Sequence, residues 1–223
     1  MAANPTPRFL SEPAVDAVVF DYDGTLVASR FADEGAVAEL IAAHPDAAAG
    51  ASTFWRHEGE PLLTRIELAW PGRVGQVLPL FERQAPPRRF PGITRLLDDL
   101  GRRGLRLAVV SSRRRVALEQ SLRATRLGHH FAVVVGLEDV SRPKPSPEGL
   151  LLALRRLGVE RSRAVFVGDS ELDVRAGQRA RVTVWRAAWG LPFLHPAAVH
   201  PNGALLLLRP EEVAQHLDGI ARR

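Results

Sequence analysis

The chain has no cysteine, and only one lysine, one methionine and one tyrosine among 223 residues. Without cysteine there is no disulfide, no thiolate metal site and no cysteine nucleophile, so any chemistry must use oxygen, nitrogen or a bound metal. No apolar run approaches the roughly 18 residues of a membrane-spanning helix. The longest candidate, 204–208, has the size of a strand. Residues 1–13 hold two prolines by position 7 and lack the apolar stretch of a secretory signal. A cytoplasmic protein with no membrane partner and an N-terminal tail over 1–13 is therefore expected.

The shortage of lysine also governs the charge. A formal net charge of +5 and a pI near 10.9 suggest a nucleic-acid binder. However, 29 of the 30 basic residues are arginine, and the only lysine is Lys144. With almost nothing to titrate near pH 10, a small positive excess is enough to raise the isoelectric point. The arginines are scattered from Arg8 to Arg223 instead of forming one patch, so direct nucleic-acid binding is not expected. With 46% hydrophobic residues, the chain can bury a core of its own.

Short β-rich apolar runs at 14–20, 105–110, 131–135, 164–167 and 182–185 alternate with helical patterns at 93–103, 116–127, 147–157, 172–181 and 210–220. That order predicts an α/β fold, a Rossmann-like and mainly parallel sheet with helices on both faces. Residues 28–89 break the alternation. They hold helix-compatible segments at 31–43, 47–58, 62–70 and 74–83, separated by prolines, and no convincing strand. An inserted all-helical domain over 28–89 is expected on a core formed by 14–27 and 90–223, with hinges at Ala28-Ser29 and 85–87.

Ligands bind such sheets at the carboxyl ends of the strands, and four predicted strand ends carry polar residues that packing does not require. These are Asp21 and Asp23, then Ser111 with Ser112, then Lys144 in the following loop, and finally Asp169 with Asp173 a helical turn beyond. Three carboxylates at one site repel one another unless a cation sits among them, and hard oxygen donors suit Mg²⁺. A serine hydroxyl, helix N-terminal N–H groups and an ammonium suit phosphate oxygens. Two carboxylates two residues apart can divide attack on phosphorus and protonation of the leaving oxygen.

Asp21-Tyr22-Asp23-Gly24-Thr25-Leu26, Ser111 after an apolar strand, Lys144 in Arg-Pro-Lys-Pro and Gly168-Asp169-Ser170-Glu171-Leu172-Asp173 together resemble the four ordered motifs of the haloacid dehalogenase-like superfamily. The helical insertion resembles the small cap of its phosphoglycolate phosphatase-like members. The resemblance implies that Asp21 is the nucleophile that forms an aspartyl-phosphate, and that Asp23 is the general acid and then the base. It implies Mg²⁺ on Asp21, the Asp23 carbonyl and Asp169, with Asp173 acting through water or by pairing with Lys144. Ser111, Ser112 and Lys144 would hold the phosphoryl oxygens. The true dehalogenases lack an aspartate at the position of Asp23, which disfavours dehalogenation. The implied partner is a small phosphorylated metabolite. The alternatives are a phosphosugar mutase of the β-phosphoglucomutase type and a catalytically silent regulatory binder.

Other residues receive weaker expectations. Arg113 lies close enough to Ser111 to touch substrate, whereas the rest of the run 113–115 reads as a solvated helix start. His57 is a second candidate substrate contact. Ser111 could also cap the following helix, and Glu171 and Arg175 read as a solvated i, i+4 pair. His129 and His130 are expected on different faces at a solvated helix end. Trp189 and the segment 192–201 have no assigned place.

Overall fold

The computed structural model describes residues 15–190 and 204–221. The predicted tail over 1–13 and the segment 192–201 lie outside the described residues.

Among the described residues six parallel strands form the sheet: β1 (Ala17–Phe20), β4 (Arg106–Val110), β5 (Val133–Val135), β6 (Ala164–Gly168), β7 (Thr183–Ala187) and β8 (Leu205–Leu207), in the order β5-β4-β1-β6-β7-β8. β1 lies at the centre, with Val19 opposite Ala108 on one side and Phe166 on the other. Its four residues are all buried because a central parallel strand is covered on both faces. The strand period of two then divides the core. Val18, Phe20, Val109 and Val167 meet α5 (Ile93–Arg102), α6 (Arg115–Ala124) and α9 (Glu211–Ala221). Ala17, Val19, Val110 and Phe166 meet α7 (Glu148–Leu157) and the last residue of α8 (Glu171–Ala180). The sixth strand falls in the apolar run 204–208.

Between β1 and α5 the chain forms α1 (Arg30–Ala43), α2 (Ala48–Arg56), α3 (Leu62–Ala69) and α4 (Val74–Glu82). These helices enclose an apolar cluster of their own, which includes Leu40, Phe54, Ile66, Trp70 and Val77. Burying each such side chain contributes about 1.5–3 kcal/mol. The expectation of no strand near this segment's edges is corrected by β2 (Val27–Ala28), which pairs antiparallel with β3 (Arg88–Arg89). Two-residue strands have no periodicity to detect, and only the close approach of the two crossing chain segments creates them.

The histidine expectation is also corrected. His129 and His130 sit in a 3₁₀ turn with ring centroids 4.0 Å apart, and the His130 side chain is 7% exposed beside Asp98 of α5. α6 ends at Ala124, so this pair belongs to the link into β5; His130 packs onto the neighbouring helix, while His129 is exposed as expected.

Candidate active site

The strand order brings the ends of β4, β1 and β6 side by side. Asp21 follows β1 and stays tied to the sheet, its N–H donating to the Val167 carbonyl at 2.8 Å. The chain then turns tightly, with the Leu26 N–H on the Tyr22 carbonyl and the Gly24 N–H on the Val27 carbonyl. Gly24 has φ +75°, and a Cβ there would lie 2.1 Å from Asp169 Oδ2, so the turn admits the Asp169 carboxylate only because the side chain is missing. Tyr22 anchors the turn from below, its buried hydroxyl 2.8 Å from Ser121 and 3.3 Å from Thr125 on α6 and its end. Trp189 now has a place, since its indole N–H donates to the Thr25 carbonyl at 2.8 Å.

Asp169 follows β6, and Ser170 starts α8 with a reciprocal cap. The Asp173 N–H donates to Ser170 Oγ, and the Ser170 N–H donates to Asp173 Oδ2. That cap fixes the fully buried Asp173 carboxylate and leaves Oδ1 to accept from Lys144 at 2.7 Å. The same ammonium donates to Asp21 Oδ1 at 2.6 Å. Asp21, Asp169 and Asp173 each offer an oxygen within 4.8 Å of the others. Glu171 and Arg175 pair at 3.0 Å on the outer face of α8.

Burial pushes the Asp21 carboxyl up to about 7 against the pull of Lys144. Burial likewise raises Asp169 well above its usual range, and Asp21 and Asp173 add repulsion. Burial alone would lower Lys144, but Asp173 and Asp21 outweigh it and keep the ammonium charged. The buried Asp21 and Asp173 and the half-buried Asp169 against one ammonium leave a negative excess. Carboxylate oxygens without imidazole or thiolate fit Mg²⁺.

Asp23 is not part of this cluster. Arg113 grips it in a fork, Nε on Oδ2 and Nη2 on Oδ1, both at 2.7 Å. Burial would raise the Asp23 carboxyl, but the charge and hydrogen bonds of Arg113 hold it below its usual range. The solvated reading of the rest of the arginine run holds for Arg114, which is exposed, and is corrected for Arg115, which is partly buried. Arg113 takes Asp23, Arg114 takes Glu138, and Arg115 takes Glu119, Asp139 and the Val134 carbonyl. The helix-capping expectation for Ser111 is corrected too. α6 starts at Arg115, whose N–H is satisfied by Glu138, while Ser111 Oγ accepts from the Arg113 N–H at 3.1 Å.

The four-helix segment reaches this edge through the turn after α2. The Ser112 hydroxyl, expected on a phosphoryl oxygen, donates instead to the Gly59 carbonyl at 3.0 Å. Gly59 has φ +93°, and a Cβ there would lie 3.2 Å from Ser170 and 3.3 Å from Leu172. One turn thus touches the loops after β4 and β6. His57 ends α2, and its imidazole makes no hydrogen bond or ion pair among the described residues. Within the same segment Arg65 is buried, pairs with Asp33 at 2.9 Å and stacks on the Phe54 ring, its centre 3.8 Å from the ring centroid. The sequence carried a signal for Arg65, which falls on the apolar stripe Leu62, Ile66, Ala69 of α3.

The family model described as haloacid dehalogenase-like hydrolase matches residues 82–187. A phosphoglycolate phosphatase from Yersinia pseudotuberculosis is 30% identical over 208 residues, covering 86% of this chain and 89% of that protein. A pyrophosphatase from Bacillus velezensis is 29% identical over 191 residues, covering 81% and 86%. The crystal structure of a Bacteroides fragilis protein described as a haloacid dehalogenase-like hydrolase matches with TM-score 0.74 at 22% identity, covering 89% and 99%. That last likeness concerns the fold.

Proposed function

The chain belongs to the haloacid dehalogenase-like hydrolases, and from that premise we propose a Mg²⁺-dependent phosphatase that hydrolyses a small phosphorylated metabolite through an aspartyl-phosphate on Asp21. The observation that carries this reading is the Lys144 ammonium seated between Asp21 and Asp173, with Asp169 alongside, at adjoining strand ends.

In this reading Lys144 holds Asp21 Oδ1 and leaves Oδ2 to attack phosphorus. Ser111 Oγ already accepts from a backbone N–H, so its own proton is free to donate to a phosphoryl oxygen. Mg²⁺ held by Asp21, the Asp23 carbonyl and Asp169 would neutralise the charge shared by phosphoryl group and carboxylates. Asp23 serves the leaving oxygen as acid and then the attacking water as base. Residues 28–89 act as a cap domain on the core formed by 14–27 and 90–223. The contact of Gly59 with Ser112 keeps bulk water from the site during transfer. Curated relatives named phosphoglycolate phosphatase and pyrophosphatase support a small, highly charged phosphate compound as substrate.

Phosphate release is to be measured from 2-phosphoglycolate, pyrophosphate and sugar phosphates, with Mg²⁺ and with chelator, for wild type and Asp21→Asn. Turnover should require Mg²⁺ and fall by about 10³-fold or more in the variant, as expected when a nucleophile is removed. Equal rates in both proteins would sink the Asp21 assignment. Phosphoryl transfer to a sugar hydroxyl without phosphate release would indicate a mutase.

A further inference from the structure

Asp23 has both carboxylate oxygens committed to the Arg113 fork. A group that delivers a proton to a leaving oxygen needs one of those oxygens free and aimed at it. Each oxygen keeps a second lone pair, but the bidentate fork fixes the plane and direction of the carboxylate, so turning it toward a leaving oxygen opens the fork. Its two members are about one-third exposed, 30% for Arg113 and 34% for Asp23, so a ligand in the cleft can reach both. Meanwhile the Arg113 backbone N–H stays fixed on Ser111 Oγ, and its guanidinium lies 5.6 Å from the centroid of the Tyr22 ring. The side chain can swing while its root holds still.

A guanidinium lifted from its carboxylate inside a partly buried site needs another anion. Asp33 in the cap is held by Arg65, Asp21 and Asp173 are held by Lys144, and Asp169 is reserved for the metal in the reading above. The remaining source is the substrate. Since Asp23 must meet the ester oxygen, an anionic group one or two atoms beyond that oxygen falls where the Asp23 carboxylate had been held.

We propose that Arg113 is a positioning residue that guards Asp23 and releases it only when a second anionic group of the substrate, a carboxylate or a second phosphate, takes over its fork. The proposal rests on the phosphatase chemistry above and adds a substrate class to it: phosphate compounds with a second negative group close to the scissile bond. Esters with a neutral tail bind at the phosphoryl site but leave Asp23 locked.

The test compares kcat and KM, with Mg²⁺, for 2-phosphoglycolate, inorganic pyrophosphate and the neutral-tailed 2-hydroxyethyl phosphate, in wild type, Arg113→Met and Arg113→Lys. Wild type should prefer at least one doubly anionic substrate by about 100-fold in kcat/KM, the scale of a lost charge-assisted fork. Whichever of the first two shows that preference identifies the second group as carboxylate or phosphate. Arg113→Met should lower kcat/KM for that substrate and raise kcat for 2-hydroxyethyl phosphate, an opposite pair of changes that a merely structural arginine cannot give. Should Arg113→Met not fold, Arg113→Lys keeps the charge without the fork and should narrow the preference several-fold. No preference in wild type, equal losses on both substrate types, or an unchanged ratio in Arg113→Lys overturns the proposal while leaving the phosphatase intact. Absence of any metal-dependent turnover overturns both.

Discussion

The Lys144 ammonium, 2.6 Å from Asp21 and 2.7 Å from Asp173 at 7% exposure, fills a gap sized for a compact charge. A guanidinium is planar, carries five donors and is wider than an ammonium, so it cannot occupy the same point between two carboxylates without pushing one aside. This accounts for the one lysine in a chain that otherwise uses arginine. Lys144→Arg should therefore keep the fold and the net charge yet lower kcat by about 100-fold, because Asp21 loses its orientation. Steady-state kinetics on the best substrate checks this, and wild-type rates in Lys144→Arg would show that the charge matters there and its shape does not. Asp23 shows the opposite economy: its partner is a fork that fits both carboxylate oxygens.

At the scale of elements, the turn between α2 and α3 decides how the helical segment meets the sheet. Its contacts are slight, one hydrogen bond from Ser112 and the packing of Gly59 against Ser170 and Leu172. One such hydrogen bond contributes about 1 kcal/mol, which suits the cap role proposed for residues 28–89, in which the contact would form and break in every cycle. A Cβ at Gly59 meets neighbours at 3.2–3.3 Å on a backbone with φ +93°, a conformation that costs a non-glycine residue about 1–3 kcal/mol. Gly59→Ala should therefore lower kcat/KM by about tenfold, with Ser112→Ala following in the same direction but less. Both should leave global stability within about 1–3 kcal/mol, since the turn lies outside the two main clusters of the sheet and the cluster of the four helices. Kinetics paired with thermal unfolding separates the two quantities. A large loss of Tm with unchanged kcat/KM would show the turn to be structural.

For the whole molecule, the buried negative cluster links stability, pH and metal. The Asp21 carboxyl is raised from 3.8 to about 7 in the folded protein. Between those values the unfolded chain has already lost the proton that the folded chain still holds. Folded-state stability of the metal-free protein must therefore fall as pH rises from about 4 to about 7. Asp169, raised for the same reason, adds to the slope. Mg²⁺ binds the ionised form, so the gain in Tm on adding it should grow over the upper part of that window, from pH 5.5 to 7.5. Thermal unfolding across that range with Mg²⁺ and with chelator tests this, and Asp21→Asn should flatten the slope. A Tm that ignores Mg²⁺ at every pH would refute the metal site. In all of this the sheet acts as a rigid frame, its centre strand buried on both faces, while the charged edge does the exchanging.

Much of this was legible in the sequence because it is local. An apolar run that ends in a polar turn marks both a strand and the residue it delivers, so β1, β4, β6 and β7 and the positions of Asp21, Ser111 and Asp169 could be read residue by residue. The alternation of strand and helix settled the parallel sheet, and the prolines at 45, 61, 71, 86 and 87 marked off the four helices, while Pro79 falls inside α4. What the sequence left open are pairings between distant positions. The fork of Arg113 on Asp23 joins residues 90 apart, the contact of Ser112 with Gly59 spans 53, and the buried pair of Arg65 with Asp33 spans 32. The two-residue strands β2 and β3 exist only because two chain segments cross side by side. Residue type and order specify which groups are present and at which strand end. Which partner each charge takes is decided by the folded chain, since a buried or half-buried ion settles on whichever opposite charge the packing brings within about 3 Å.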